Sequence, residues 1–237
     1  MRLMTGAHFT TPSYRAQPKC APTRIGVLGA AVSCAVLFWA GHASALQVYR
    51  TGSPHDAATA TSSLTCLAGG GSDDLWAAGW RRMLELSGGG DVVVVRADGE
   101  RGDYESWIYA DEGGHRFPRV NSVTTVVLDA RRDADDPRAV EAVGNAEMIF
   151  FAGGDQSRYV DWIHRTGFER ALYAAIFQRS VPVGGTSAGM AFLAGIDYTG
   201  RFSSPSSPGG WVSSEDVLAD PSGAFVDLNP LVLVGPL

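Results

Sequence analysis

The sequence predicts an α/β protein, a mostly parallel sheet with helices on both faces. Three observations carry that expectation. Apolar and β-branched runs recur at Asp91–Ala97 (DVVVVRA), Ser122–Leu128 (SVTTVVL) and Glu147–Ala152 (EMIFFA), the composition of strands covered on both sides. Segments with helical spacing stand between these runs. Glycine clusters follow three of the predicted strands, at Gly69–Gly71, Gly153–Gln156 and Gly185–Gly189. Ligands of open α/β sheets bind beyond the carboxyl ends of the strands, so these clusters are expected along one rim.

Taken in order, residues 1–45 read as a secretory leader. Arg15, Lys19 and Arg24 precede an uncharged apolar run from Ile25 to Ala40, shorter than the ~20 residues a membrane span needs. Ala43-Ser44-Ala45 is a small-residue cleavage pattern. Residues 46–63 read as an extended lead-in without clear periodicity. Leu64–Ala68 is a short apolar run, followed by a helix that Ser72 can cap. Trp76, Trp80, Met83 and Leu84 recur along it as a core stripe. After the first valine strand and Ser122–Leu128, Asp136–Asn145 has a helical pattern with an early proline. Arg158–Arg179 reads as two helical pieces broken at Gly167. Val181-Pro182-Val183 then leads into Gly184–Met190. The domain reading is a leader over 1–45, a lead-in over 46–63 and a single α/β domain over 64–237.

Composition excludes several functions. The chain of 237 residues has net charge −6, so it offers no basic surface for nucleic acid. Removal of residues 1–45 takes four cations and no acids, leaving 15 basic against 25 acidic residues, or −10. Only Cys66 then remains of three cysteines, so no intrachain disulfide forms and an ordinary hydrophobic core must hold the fold. The Gly69-Gly70-Gly71 loop lacks the spacing of a dinucleotide or P-loop fingerprint. His115 and His164 have no second ligand at metal spacing, and both read as surface or packing residues. Asp133, Asp135 and Asp136 read as a solvated loop. No metal and no cofactor are expected.

One segment carries chemistry. Gly185-Thr186-Ser187-Ala188-Gly189 fits G-x-S-x-G, with an apolar strand before it and a helix-compatible AGMAFLAG after it. A sharp strand-to-helix turn with small neighbours would project the Ser187 hydroxyl above the sheet. The N–H of Ala188 would then face a developing oxyanion. A serine nucleophile needs a base, usually a histidine oriented by a carboxylate. Carboxylates follow at Asp197, Glu215, Asp216, Asp220 and Asp227, but no histidine follows residue 164.

FFAGGDQSRY (Phe150–Tyr159) followed by VPVGGTSAGM (Val181–Met190) resembles the cyanophycinase and dipeptidase E family of serine peptidases, nearest its exported, cyanophycinase-like branch. The likeness extends from LAGGGSDD through GGGDVVVVRADG and VNSVTTVVLDAR to SSEDVLADP. It implies a three-layer sandwich related to class I glutamine amidotransferases, with serine at the elbow. By that resemblance Ser187 is the nucleophile, Glu215 the triad acid, and the N–H groups of Gly154 and Ala188 the oxyanion hole. Asp155 and Gln156 would line the substrate cleft. The reaction would be hydrolysis of a peptide or isopeptide amide through an acyl-enzyme, without metal or cofactor. Family substrates include the β-aspartyl-arginine polymer cyanophycin and Asp-initiated dipeptides. The family's histidine, in a D-x-H-F-like motif, follows a stretch resembling Leu231–Leu237. The expectation is therefore a chain truncated before its base, with little peptidase activity and an exposed sheet edge near Leu231–Val234. The expected location is exported, periplasmic or extracellular, with no stable membrane insertion once the leader is removed. Oligomeric state is left open. Two other classes compete: a non-catalytic binding protein that keeps the cleft, and an α/β-hydrolase-type esterase, which lacks both a usable histidine and an HGGG-type loop here.

Overall fold

In the computed structural model, which describes residues 46–71, 73–97, 99–198 and 226–228, the three apolar runs form the centre of a six-stranded sheet. The strands are β1 (Gln47–Gly52), β2 (Thr65–Ala68), β3 (Asp91–Ala97), β4 (Ser122–Leu128), β5 (Met148–Phe151) and β6 (Val183–Thr186). They lie in the order β1-β4-β3-β5-β6-β2. β1 is antiparallel to β4, and the other pairings are parallel. Two short strands, β7 (Ile196–Tyr198) and β8 (Val226–Leu228), pair separately. The helices are α1 (Ala77–Leu86), α2 (Tyr104–Tyr109), α3 (Pro137–Gly144), α4 (Gln156–Ile163), α5 (Gly167–Tyr173) and α6 (Ala188–Phe192).

The valine strands explain the layering. Val93, Val95 and Ala97 of β3 join Ile149 and Phe151 of β5 in a core with residues of α3, α4, α5 and α6. Val92 and Val94 turn the other way, onto Met148, Phe150 and the Trp80–Met83–Leu84 stripe of α1. β3 and β5 therefore bury both faces, at about 1.5–3 kcal/mol for each large apolar side chain. Crossovers that step toward β1 run over the α1/α2 face, and those that step toward β2 run over the other. A single crossover hand requires that arrangement.

Several expectations change against the coordinates. Within the expected lead-in, residues 47–52 form a strand that pairs along β4, from Gln47 opposite Val127 to Gly52 opposite Ser122. Helix α2 had no counterpart in the sequence reading. Asp135 is exposed and Asp136 half-buried, as a solvated segment would be, but Asp133 is not, and all three carboxylates are engaged with backbone donors. Asp133 is buried and accepts the N–H groups of Asp129 and Ala130 at 2.9 and 3.0 Å. Asp135 accepts the Gly167 N–H at 2.7 Å, and Asp136 caps α3 through the Arg138 N–H at 2.9 Å. Backbone donors at element ends need acceptors, and these carboxylates supply them. Residues 1–45, Ser72 and Leu231–Leu237 lie outside the described residues.

At the amino-terminal end of the sheet, buried carboxylates join β1, β3, β4 and β5. Asp91 accepts from Arg50 Nη2 (3.1 Å), Asn121 Nδ2 (2.9 Å), the Ala57 N–H (3.1 Å) and the Ser122 hydroxyl. Glu147 Oε2 accepts the Asp91 N–H at 2.8 Å, while Asp91 O accepts the Glu147 N–H at 2.8 Å. Burial, reinforced by the charges of Asp91 and Asp56, pushes the Glu147 carboxyl up to about 7, against the opposing pull of the Asp91 N–H and Arg179. The native state thus binds a proton that the unfolded chain has released, and stability falls as pH rises from about 4.5 to about 7. Glu147→Gln keeps the acceptor and removes the charge. Its melting temperature should match the parent at pH 5 and exceed it at pH 8, by roughly 1–3 kcal/mol of stability. A constant offset across that range would refute the assignment.

Candidate active site

Ser187 occupies a single-residue turn between β6 and α6, with φ 51° and ψ −118°. Non-glycine residues rarely adopt such a conformation, which costs about 1–3 kcal/mol and persists only where surrounding structure enforces it. Here the enforcement is visible. The Ser187 N–H bonds to Ala68 O at 2.9 Å, carrying the β6–β2 ladder one step past the strand. The Ser187 carbonyl then accepts the Ala191 N–H at 3.0 Å as the first bond of α6. Ladder and helix meet in one residue, and the serine takes the conformation that joins them. Its side chain is exposed, while Thr186 and Ala188 on either side are buried.

The two glycines of the motif work through contact distance. A Cβ on Gly189 would lie 2.1 Å from Phe151 O and 2.7 Å from Ala152 O, so α6 rests its first turn directly on the end of β5. A Cβ on Gly185 would lie 2.5 Å from Gly189 O. Neither position admits a side chain. The other expected rim glycines meet at the serine. A Cβ on Gly70, from the loop after β2, would be 3.6 Å from Ser187 Cβ and 3.9 Å from its Oγ. One on Gly153, after β5, would be 3.5 and 4.0 Å away. β6 lies between β5 and β2, so the hydroxyl stands on the middle of three parallel strands with a glycine loop on each side.

The remaining predicted residues divide. Gly154 directly follows Gly153 with φ 149°, and Ala188 is the first residue of α6, 3% exposed. Asp155 is the N-cap of α4, and its Oδ1 accepts the Ser157 N–H at 2.9 Å and the Ser157 hydroxyl at 2.6 Å. Its Oδ2 faces Arg158 Nε at 3.5 Å. That carboxylate is therefore engaged in starting the helix. Gln156 is the first residue of α4. Glu215 lies outside the described residues. One contributor was not singled out from the sequence: Tyr159, fully buried, whose hydroxyl reaches both Val95 O and Ala152 O. A tyrosine on the apolar face of the helix after GGDQ is the signal that could have found it.

The three described histidines lie elsewhere. His55 lies in the loop after β1, where its carbonyl accepts Asn121 Nδ2 at 2.7 Å. His115 packs against Trp107 and Phe117. His164 Nδ1 is 3.2 Å from Glu169 Oε1, at the far end of α4. Among the described residues, one carboxylate group stands close enough to hold a cation: Asp56, Asp91 and Glu147, with ligand atoms within 4.8 Å of one another. It belongs to the amino-terminal joint, at the opposite end of the sheet from Ser187. A cavity of about 390 Å³ sits at that same end, lined by Arg50, His55, Asp56, Thr124, Arg138 and Glu141 among others. Its two guanidinium groups are already paired, Arg50 with Asp91 and Arg138 with Asp136. The charged groups of that cavity are therefore largely spent on one another, whereas the serine rim keeps an exposed hydroxyl.

Comparison with known proteins bears on the same region. The sequence profile of Peptidase family S51 matches residues 109–207, a span that includes β5, the Gly153–Gly154 loop, β6, Ser187 and α6. No curated protein matches this chain. A solved structure, a peptidase from an acI-B1 Actinobacterium, is similar with a TM-score of 0.45 and 21% identity over 59% of this chain and 59% of that one. The similarity thus spans less than two thirds of that peptidase.

Two pairs of substitutions test the elbow. Ser187→Gly should stabilise the fold by about 1 kcal/mol relative to Ser187→Ala, because only glycine relaxes at this φ and ψ. Gly189→Ala should destabilise by about 3 kcal/mol or more, whereas Gly69→Ala, whose Cβ would meet nothing within 4 Å, should stay within roughly 0.5 kcal/mol. Denaturant titration reads all four. Equal stability of the two Ser187 variants would remove the case for an enforced turn.

Proposed function

We propose that this chain is a serine peptidase of the S51 type, with Ser187 as the nucleophile. The observation that carries the reading is the exposed hydroxyl on a backbone held at φ 51° between two glycine loops. The peptidase-family match over the same segment supports it. In the proposed reaction Ser187 Oγ gives its proton to a base and attacks an amide carbonyl. The oxyanion is stabilised by the N–H groups of Ala188 and Gly154. The amine leaves with a proton, and water then hydrolyses the acyl-enzyme. Gln156 borders the cleft beside Gly154, and Asp155 contributes by fixing the start of α4. Glu215 is retained as the proposed acid. The proposed substrates are peptide or isopeptide bonds, and the leader-like residues 1–45 make export part of the same proposal.

The base decides between this reading and a second one. With His115 packed on Trp107 and Phe117, His164 facing Glu169 and His55 lining the cavity at the amino-terminal end of the sheet, the described histidines lie away from the serine, and a binding protein that keeps the cleft without turnover is the alternative. Loss of the base costs several orders of magnitude in rate. A fluorophosphonate probe separates the two. Labelling of the folded chain at Ser187, absent from Ser187→Ala, is the peptidase outcome. A folded chain that stays unlabelled yet retains peptide binding is the binder outcome, and would sink the proposal.

A further inference from the structure

We infer that Tyr159 is a positioning residue, whose hydroxyl holds the Ala152–Gly153 peptide in register with the Ser187 turn; this rests on the nucleophile reading above. The β3–β5 ladder ends where the Ala152 N–H bonds to Val95 O at 3.0 Å. Beyond that point the chain must leave the sheet to form the Gly153–Gly154 loop, and Ala152 O loses its strand partner. The Tyr159 hydroxyl sits 2.9 Å from Val95 O and 2.9 Å from Ala152 O, and the Ala97 backbone also bonds to the phenol oxygen. One side chain from α4 thus stands in for the next residue of β5. It extends the ladder by a rung that the main chain cannot supply. Burial holds the phenol in its neutral, donating form.

The ring serves both halves of the site. It packs edge-on against Phe151 of β5, with centroids 5.6 Å apart, and lies 5.5 Å from Phe192 of α6. Gly189 presses hardest on the preceding Phe151–Ala152 peptide, and a Cβ there would also lie 2.7 Å from Ala152 O, the atom that the hydroxyl holds. A shift of Ala152 O would therefore move Gly153 relative to Ser187 and alter the seat of α6 in the same motion. A displacement of that kind costs roughly ten- to hundredfold in reactions that depend on alignment.

Tyr159→Phe removes the hydroxyl and keeps the ring. Thr166→Ala is the control: it also deletes a fully buried hydroxyl, one that bonds to Ile163 O and caps α5. Both variants are read at a temperature below their melting points. Tyr159→Phe should label with fluorophosphonate about tenfold or more slowly than the parent, with faster amide exchange at residues 152–155. Thr166→Ala should label within about twofold of the parent despite a comparable loss of stability. Placing 4-aminophenylalanine at position 159 puts an N–H donor back and should restore labelling, which a purely space-filling role would not do. Parent-like labelling of Tyr159→Phe, or equal slowing in Thr166→Ala, overturns the inference. If Tyr159→Phe does not fold, slow labelling of the folded amine variant overturns it. If the parent itself does not label, the nucleophile reading has failed. Amide exchange still decides the positioning role, and unchanged exchange at 152–155 in Tyr159→Phe, or faster exchange there in a folded amine variant, would reject it.

Discussion

The contact between the Gly189 backbone and the Phe151–Ala152 peptide governs the architecture around Ser187. Two main chains approach closer than any side chain would permit. That approach seats α6 on the end of β5 and brings the helix start directly over the sheet. With the helix there and the β6–β2 ladder continuing through the Ser187 N–H, only one residue remains to turn the chain. Its unfavourable dihedral angles follow from the two structures that it joins. The energy comes from a core in which Phe151, Tyr159 and Phe192 pack mutually beneath the turn.

The two ends of the sheet solve opposite problems. At the amino-terminal end, charge is buried and nearly every group has a partner: Asp91 alone binds donors from β1, β4 and both adjoining loops. Networks of that kind are costly when incomplete and rigid when complete. Immediately around Ser187, at the carboxyl ends of β2, β5 and β6, the nearest residues are mostly glycine and alanine, so main-chain atoms form much of the surface there. Catalytic groups held on rigid elements keep their alignment better than groups on mobile loops. A serine fastened between a strand and a helix meets that condition.

Most of this architecture was legible because the signals were local. Four consecutive valines in β3 can only be a strand buried on both faces, and its bounds fall where the sequence reading puts them. G-x-S-x-G was legible because both of its glycines answer to contacts within a few residues of the serine or on the adjacent strand. β1 was less legible. Its outer edge carries polar and charged residues, and its partner lies some 70–80 positions away. α2 is six residues long, with one aliphatic side chain, Ile108, fully buried, too short for a period to emerge. The aspartates at 133–136 misled for a related reason. A carboxylate that caps backbone donors has the same composition as one in water; the donors of Asp133 and Asp136 lie within four residues, and that of Asp135 comes from Gly167, elsewhere in the chain. For Tyr159 the ring was readable as core, but the destination of its hydroxyl depends on how two strands end.

Gly69 stands apart from the glycines around it. A side chain there would meet open space, and its neighbour Ala68 belongs to an edge strand, beyond which the six-stranded sheet has no further member among the described residues. The wall of the cleft on that side is thus the part of the rim least constrained by packing. Chain length can be added there without displacing the turn that carries Ser187, because the bonds fixing that turn begin at Ala68 and run inward. For anyone wishing to redirect this scaffold to a new ligand, the β2 side is the natural graft point, and the β5 side is the one to leave untouched.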